Sequence, residues 1–208
     1  MVDVVTGGMP DPPMVGDMSS ARALLADRIR ELVEASVLVN DGTVDLLAAA
    51  ARVEAVTESL RPGARDSPLL IAPLDGGRWL SVNNPVEGPG NPLAPPVTWS
   101  LMGADSVLAD VTFTAVHEGP PGRVHGGWVA AVLDHAVGRA AAVAGFPGMT
   151  AWLKVDYRAG TPYGVPLHIE GWFAGRDGRK LHATAEIRAG AHVTATATAM
   201  LVLFRKPL

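Results

Sequence analysis

The chain has 208 residues, a formal net charge of −4, 18% charged residues and no cysteine. That length suits one domain with an extension and is enough for a sizeable core. The charge offers no basic surface to nucleic acid, and the lack of cysteine rules out disulfides, thiolate metal sites and a cysteine nucleophile. No run reaches the roughly 18 uninterrupted apolar residues of a membrane span. The start lacks a basic stretch followed by an apolar core, so a soluble cytoplasmic protein is the expectation.

Residues 1–18, rich in Gly, Pro, Met and Asp without a period, read as a mobile tail. From Ser19 to Val39, Leu24, Leu25, Ile29, Leu32 and Val33 recur at helical spacing. Asp41-Gly42 stops this helix, and Thr43 is the expected cap of a second one through Leu46, Leu47, Ala50, Val53 and Val56. Arg61-Pro62-Gly63 ends it, so residues 19–63 form a predicted helical hairpin. Its ordinary role is a packing appendage, its other role a lid over substrate. Residues 64–96 are dense in Pro, Gly and Asn, with one strand predicted near Arg78 to Val82.

Beyond that segment the period changes to two. Val107, Ala109, Val111, Phe113 and Ala115 alternate with Asp110, Thr112 and Thr114, the pattern of a half-buried strand. A helix from about Gly127 to Ala144 follows, closed by Gly145 and Pro147. Four more strands are predicted at Thr150–Tyr157, Leu167–Phe173, Lys180–Arg188 and His192–Phe204, with turns at Asp177-Gly178 and Ala189-Gly190. One long apolar helix among antiparallel strands is an α+β layout in which a sheet wraps the helix, with residues 64–208 as one domain.

The chemistry concentrates where that helix begins. His125-Gly126-Gly127 opens it, and Asp134 lies two turns further in among Ala130, Ala131, Val137 and Gly138. A helix start presents N–H groups that lack intrahelical partners and can hold a developing oxyanion. An aspartate on so apolar a stretch is either a working carboxylate or a solvent-facing one, and its neighbours favour the first.

The run Glu118-Gly119-Pro120-Pro121-Gly122-Arg123-Val124-His125-Gly126-Gly127, then Leu133-Asp134-His135-Ala136-Val137-Gly138, resembles the signature of hotdog-fold acyl-CoA thioesterases. It is most similar to the phenylacetate-pathway-type and THEM4-like branch. Gly88 to Leu93 resembles the lead-in of that branch, and Thr150 to Pro162 its strand and turn after the helix. The resemblance covers roughly residues 80 to 205 and implies a hotdog fold, a homodimer or dimer of dimers, and hydrolysis of an acyl-CoA with no cofactor and no metal. It also implies that the Thr150 hydroxyl helps orient water or carboxylate. Some relatives carry Asn where this chain has Gly119, which makes His125 the expected auxiliary.

Gly126 and Asp134 stand eight residues apart, about 12 Å along a helix, too far for one carbonyl to touch both. Two antiparallel copies of the helix would bring them together, so the site is expected at a dimer interface. There the Gly126 N–H would polarise the thioester carbonyl, and Asp134 of the second copy would act as general base or nucleophile. Gly127, Trp128, Asn91, Trp152 and Arg158 are the candidate substrate contacts. Arg123, Lys154, Arg158, Arg176, Arg179 and Lys180 are candidates for the coenzyme A phosphates. His135 and Arg139, at i, i+4 spacing, are expected at the surface or the interface. Two other functions fit the residues: a non-catalytic acyl-CoA-binding protein, and a hydratase or dehydratase of the same fold.

Overall fold

The structure, a computed structural model, describes residues 20–66, 71–74 and 78–204; the tail expected at 1–18 lies outside them. The described residues group into two compact units, one drawn from 20–84 with 88–92, the other from 85–87 with 93–204.

The first unit holds two helices, α1 (Ser20–Leu38) and α2 (Leu46–Leu60), and a hairpin of β1 (Ile71–Leu74) and β2 (Arg78–Ser81). The cap of α2 is Asp45, whose carboxylate accepts the Ala48 N–H at 2.9 Å. Thr43, the expected cap, sits two residues early, and its hydroxyl donates to the Asn40 carbonyl at 2.7 Å, closing the turn between the helices. Strand β1 escaped the sequence reading because Pro73 falls inside it, where a ladder donor is lost. Arg30 on α1 donates to the Asn91 carbonyl at 3.1 Å and so ties the 88–92 loop to this unit. Of the α1 side chains only Ala26 is buried, and α2 buries none.

The second unit is a six-stranded antiparallel sheet around one helix. Its strands are β3 (Val97–Leu101), β4 (Ser106–Val111), β5 (Gly148–Tyr157), β6 (Leu167–Asp177), β7 (Lys180–Ala189) and β8 (His192–Leu203), in the order β3-β4-β6-β7-β8-β5. Helix α3 (Gly126–Val143) buries Val129, Val132, Leu133, Ala136, Val137, Ala140 and Ala141 against it. The facing residues of β7 and β8 are largely alanine, which lets the helix come close. Helix and sheet come close at Gly171 on β6, where an added Cβ would stand 2.9 Å from the Ala136 carbonyl oxygen. Positive-φ glycines at Gly178 and Gly190 make the two hairpin turns. Strand β3 was missed in the sequence because its five residues follow Pro95-Pro96. Ala115, expected to continue β4, instead begins a 3₁₀ turn, Ala115–His117. On β5 the pairing runs from Thr150↔Leu201 to Trp152↔Met200, so a bulge skips Ala151.

Candidate active site

The loop before α3 is stitched at several points. The Glu118 carboxylate accepts the Gly122 N–H at 2.6 Å, and Gly122 has φ +73. Val124 donates to the Thr161 carbonyl at 2.8 Å, and His125 donates to the His117 carbonyl at 2.8 Å. His117 is itself buried, with Nδ1 accepting the Thr114 N–H at 3.1 Å and its ring edge-on to Phe113 and Trp128. These bonds deliver His125 to the N-cap position of α3 with φ −60 and ψ 133.

There the imidazole Nδ1 accepts the Gly127 N–H at 3.0 Å. A neutral ring with an accepting Nδ1 carries its proton on Nε2. The His125 carbonyl takes the N–H groups of Trp128 and Val129, at 2.9 and 3.3 Å. Among the described residues nothing accepts the Gly126 N–H. An open cleft of about 290 Å³ lies against it, lined by Gly126, Val129, Arg123, Tyr157, Arg158 and Thr161 among others. Gly126, at the positive end of an 18-residue helix, and the two arginines thus line one concavity.

Asp134 is not part of that cleft wall. Its residue is half-buried, and its Oδ1 is shielded from solvent with no hydrogen-bond partner. A desolvated carboxylate oxygen of this kind is costly until a partner reaches it.

The next two polar side chains of α3, His135 and Arg139, are partly exposed and hold Glu87, a residue the sequence reading passed over. The Glu87 side chain is 13% exposed, stands 3.2 Å from His135 Nε2 and pairs with Arg139 Nη1. Arg139 lies over the Trp99 ring at 5.1 Å, and His135 packs on the same ring. Burial pushes the Glu87 carboxyl up, but hydrogen bonds and charge from His135 and Arg139 outweigh it and hold the group below its usual 4.5.

The remaining candidates spread out. Thr150 is half-buried beside the β5 bulge, and Trp152 is exposed on the same edge strand. Trp128 packs on His117 with ring centroids 4.9 Å apart. Asn91 belongs to the other unit, and its amide donates to the Asn83 carbonyl at 2.9 Å. Gly119 lies under His125: a Cβ there would come within 2.8 Å of the His125 Cα, which leaves no room for a longer side chain. Of the six basic candidates, Arg123 and Arg158 line the cleft, Arg123 donating to the Gly122 carbonyl at 3.2 Å and Arg158 to the Thr196 hydroxyl at 3.4 Å. Lys154 pairs with Asp156, Arg176 lies over Phe146, and Arg179 donates to the Leu203 carbonyl. Among the described residues no group of three or more acidic or histidine side chains is placed to hold a metal. No described helix is long and apolar enough to cross a membrane. Tyr157 was also missed: it donates its hydroxyl to the Gly126 carbonyl at 2.8 Å, and only its place at the end of a predicted strand could have pointed to it.

Comparisons with known proteins bear on this geometry. The sequence profile of the Thioesterase superfamily matches residues 121–196. The chain is 38% identical over 72 residues to acyl-coenzyme A thioesterase THEM4 of Xenopus laevis, a match spanning 35% of this chain and 32% of that protein. The crystal structure of smu.793 from Streptococcus mutans UA159 bound to acetyl CoA shares the fold, with a TM-score of 0.50, 17% identity, and coverage of 53% of this chain and 90% of that one. Protein RHA08564, a thioesterase superfamily protein of known crystal structure, is 33% identical, with a TM-score of 0.79 over 91% of this chain and 98% of its own. The chain belongs to the thioesterase superfamily.

Proposed function

We propose that the protein is an acyl-CoA thioesterase that works as a homodimer, with residues 64–208 as the hotdog thioesterase domain and the 19–63 hairpin as its appendage. The observation that carries this reading is the start of α3, where no described residue accepts the Gly126 N–H and Gly126 lines a cleft together with Arg123 and Arg158. The THEM4 relative is an acyl-CoA thioesterase by name, and this chain spans about a third of it.

The thioester carbonyl oxygen would sit at the Gly126 N–H, where the helix dipole favours negative charge as the tetrahedral oxyanion forms. Asp134 comes from the second copy, because the cleft at Gly126 does not include this chain's own Asp134. Strand β5 supports such pairing: it ends the sheet, and its Met149, Trp152 and Tyr157 are exposed. As general base, Asp134 takes a proton from water while the water oxygen bonds to the carbonyl carbon. Collapse of the intermediate breaks the C–S bond, and the departing thiolate recovers the proton. As nucleophile, Asp134 bonds to the carbonyl carbon and the C–S bond breaks to release the thiolate; water then hydrolyses the resulting anhydride, returning the carboxylate and giving its proton to the thiolate. The Thr150 hydroxyl orients water or carboxylate in either route, and the His125 Nε2–H supplies a further donor. Gly127, Trp128 and Trp152 border the substrate, while Arg158 and Arg123 hold its phosphates.

Thiol release from a panel of acyl-CoA thioesters tests this, and the cysteine-free chain adds no background to a thiol-reactive dye. Asp134→Asn should lower turnover by at least about 100-fold while leaving the sedimenting species unchanged. Equal rates in both proteins would remove Asp134 from the mechanism. Tight acyl-CoA binding without thiol release would make the protein a binder instead.

A further inference from the structure

We infer that Tyr157 is a positioning residue for this reaction, acting through the Gly126–Gly127 peptide; the inference rests on the thioesterase reading above. That one peptide is clamped at both ends. Its oxygen accepts the Tyr157 hydroxyl at 2.8 Å, and its N–H donates to His125 Nδ1 at 3.0 Å. Hydrogen bonds in series through an amide polarise one another, so the two rings and the peptide form a single chain of donors. The adjoining His125–Gly126 peptide is held through its carbonyl by Trp128 and Val129, and only its N–H stays open. Tyr157 therefore fixes the residue whose N–H is offered to the oxyanion.

The glycine pair carries an independent mark of the same device. Neither Gly126 nor Gly127 has a positive φ, so backbone conformation does not demand glycine here. Nor does the N–H, which every residue but proline supplies. What crowds a side chain at these positions is the two rings. A Cβ on Gly126 would stand 3.2 Å from the Tyr157 hydroxyl oxygen and 3.3 Å from its Cζ, and a Cβ on Gly127 would stand 3.1 Å from His125 Nδ1. Each glycine is covered by the ring that bonds its peptide. Tyr157 itself is 55% exposed, so its ring contributes little to the core. A glycine at the first helical position is the freest residue in the helix, and the hydroxyl removes that freedom where a small misplacement is expensive.

The test is steady-state thiol release by the full chain from straight-chain and aryl acyl-CoA thioesters, with melting temperature measured alongside. Tyr157→Phe keeps the ring and loses the bond. It should lower kcat by about 10-fold, with KM within about 2-fold and the melting temperature unchanged, as expected for a bond that matters in the transition state. Gly126→Ala should lower kcat through its clash with the phenol. Adding Tyr157→Ala to Gly126→Ala should then cost less than Tyr157→Ala costs the wild type. A Tyr157→Phe enzyme with wild-type kcat overturns the positioning role alone. So does a loss of kcat that only follows a fall in melting temperature, or strict additivity of the pair. A wild type that releases no thiol overturns the thioesterase reading, and the positioning role falls with it.

Discussion

Helices α2 and α3 draw on the same apolar residues, alanine, valine and leucine, yet α3 buries seven side chains and α2 none. Leu133 of α3 is fully buried, whereas Leu47 of α2 is 85% exposed. Helical period and composition made both helices; the curved, alanine-rich sheet made only one of them a core. The caps diverge in the same way. Asp45 closes the first turn of α2 with a carboxylate on an exposed surface. His125 accepts the second N–H of α3 and leaves the first one, of Gly126 on the cleft lining, without an acceptor among the described residues. An end that serves stability in one helix is left partly open for chemistry in the other.

Substitutions can sharpen or break that contrast. Leu133→Ala should have the largest effect, destabilising the protein by about 2–5 kcal/mol in urea denaturation, since the helix and sheet cannot collapse into the cavity. Glu87→Gln should come next, at about 1.5–3 kcal/mol near neutral pH, because the amide loses the charge that faces Arg139 and His135. Its pH dependence has a definite sign. The folded-state value lies below the usual 4.5, so this stabilisation is present above 4.5 and is lost as pH falls through the lower folded value. The gap between wild type and Glu87→Gln should therefore narrow on acidification below 4.5, and a gap that widens there would remove the carboxylate from the account.

Asp45→Ala should cost about 1 kcal/mol, read as lost helicity by circular dichroism. Smallest of all, Leu47→Ala should stay within about 0.5 kcal/mol. A cost near that of Leu133→Ala would mean that the α2 face is covered in the assembled protein, and the contrast between the helices would vanish.

Much of the second unit was legible because its signals are periodic. The alternation in β4, β7 and β8 and the apolar stripe of α3 each repeat over many residues, and Asp177-Gly178 and Ala189-Gly190 mark hairpin turns. What stayed hidden depends on contacts between distant residues or on broken patterns. Prolines masked β1 and β3. Glu87 looked like a loop acid because its partners lie 48 and 52 residues away, at His135 and Arg139. Tyr157 meets Gly126 across 31 residues. The His125-Gly126-Gly127 turn and Asp134 were visible because local chemistry alone sets them apart. The rings that cover the glycines were not, since no spacing rule links Tyr157 to the start of α3.

The bulge at Ala151 has a consequence for the phase of β5. Thr150 and Leu153 are three residues apart, an odd number, and in a straight strand they would point to opposite sides. Skipping Ala151 absorbs the odd residue, so half-buried Thr150 shares a face with Leu153 and Val155, which pack against the core. The two halves of β5 are thus out of step in sequence and in step in space. Deleting Ala151 would keep every side chain on its present face while removing the local bend. The fold should survive that deletion, with the direction of the Thr150 hydroxyl changing as the bend is lost.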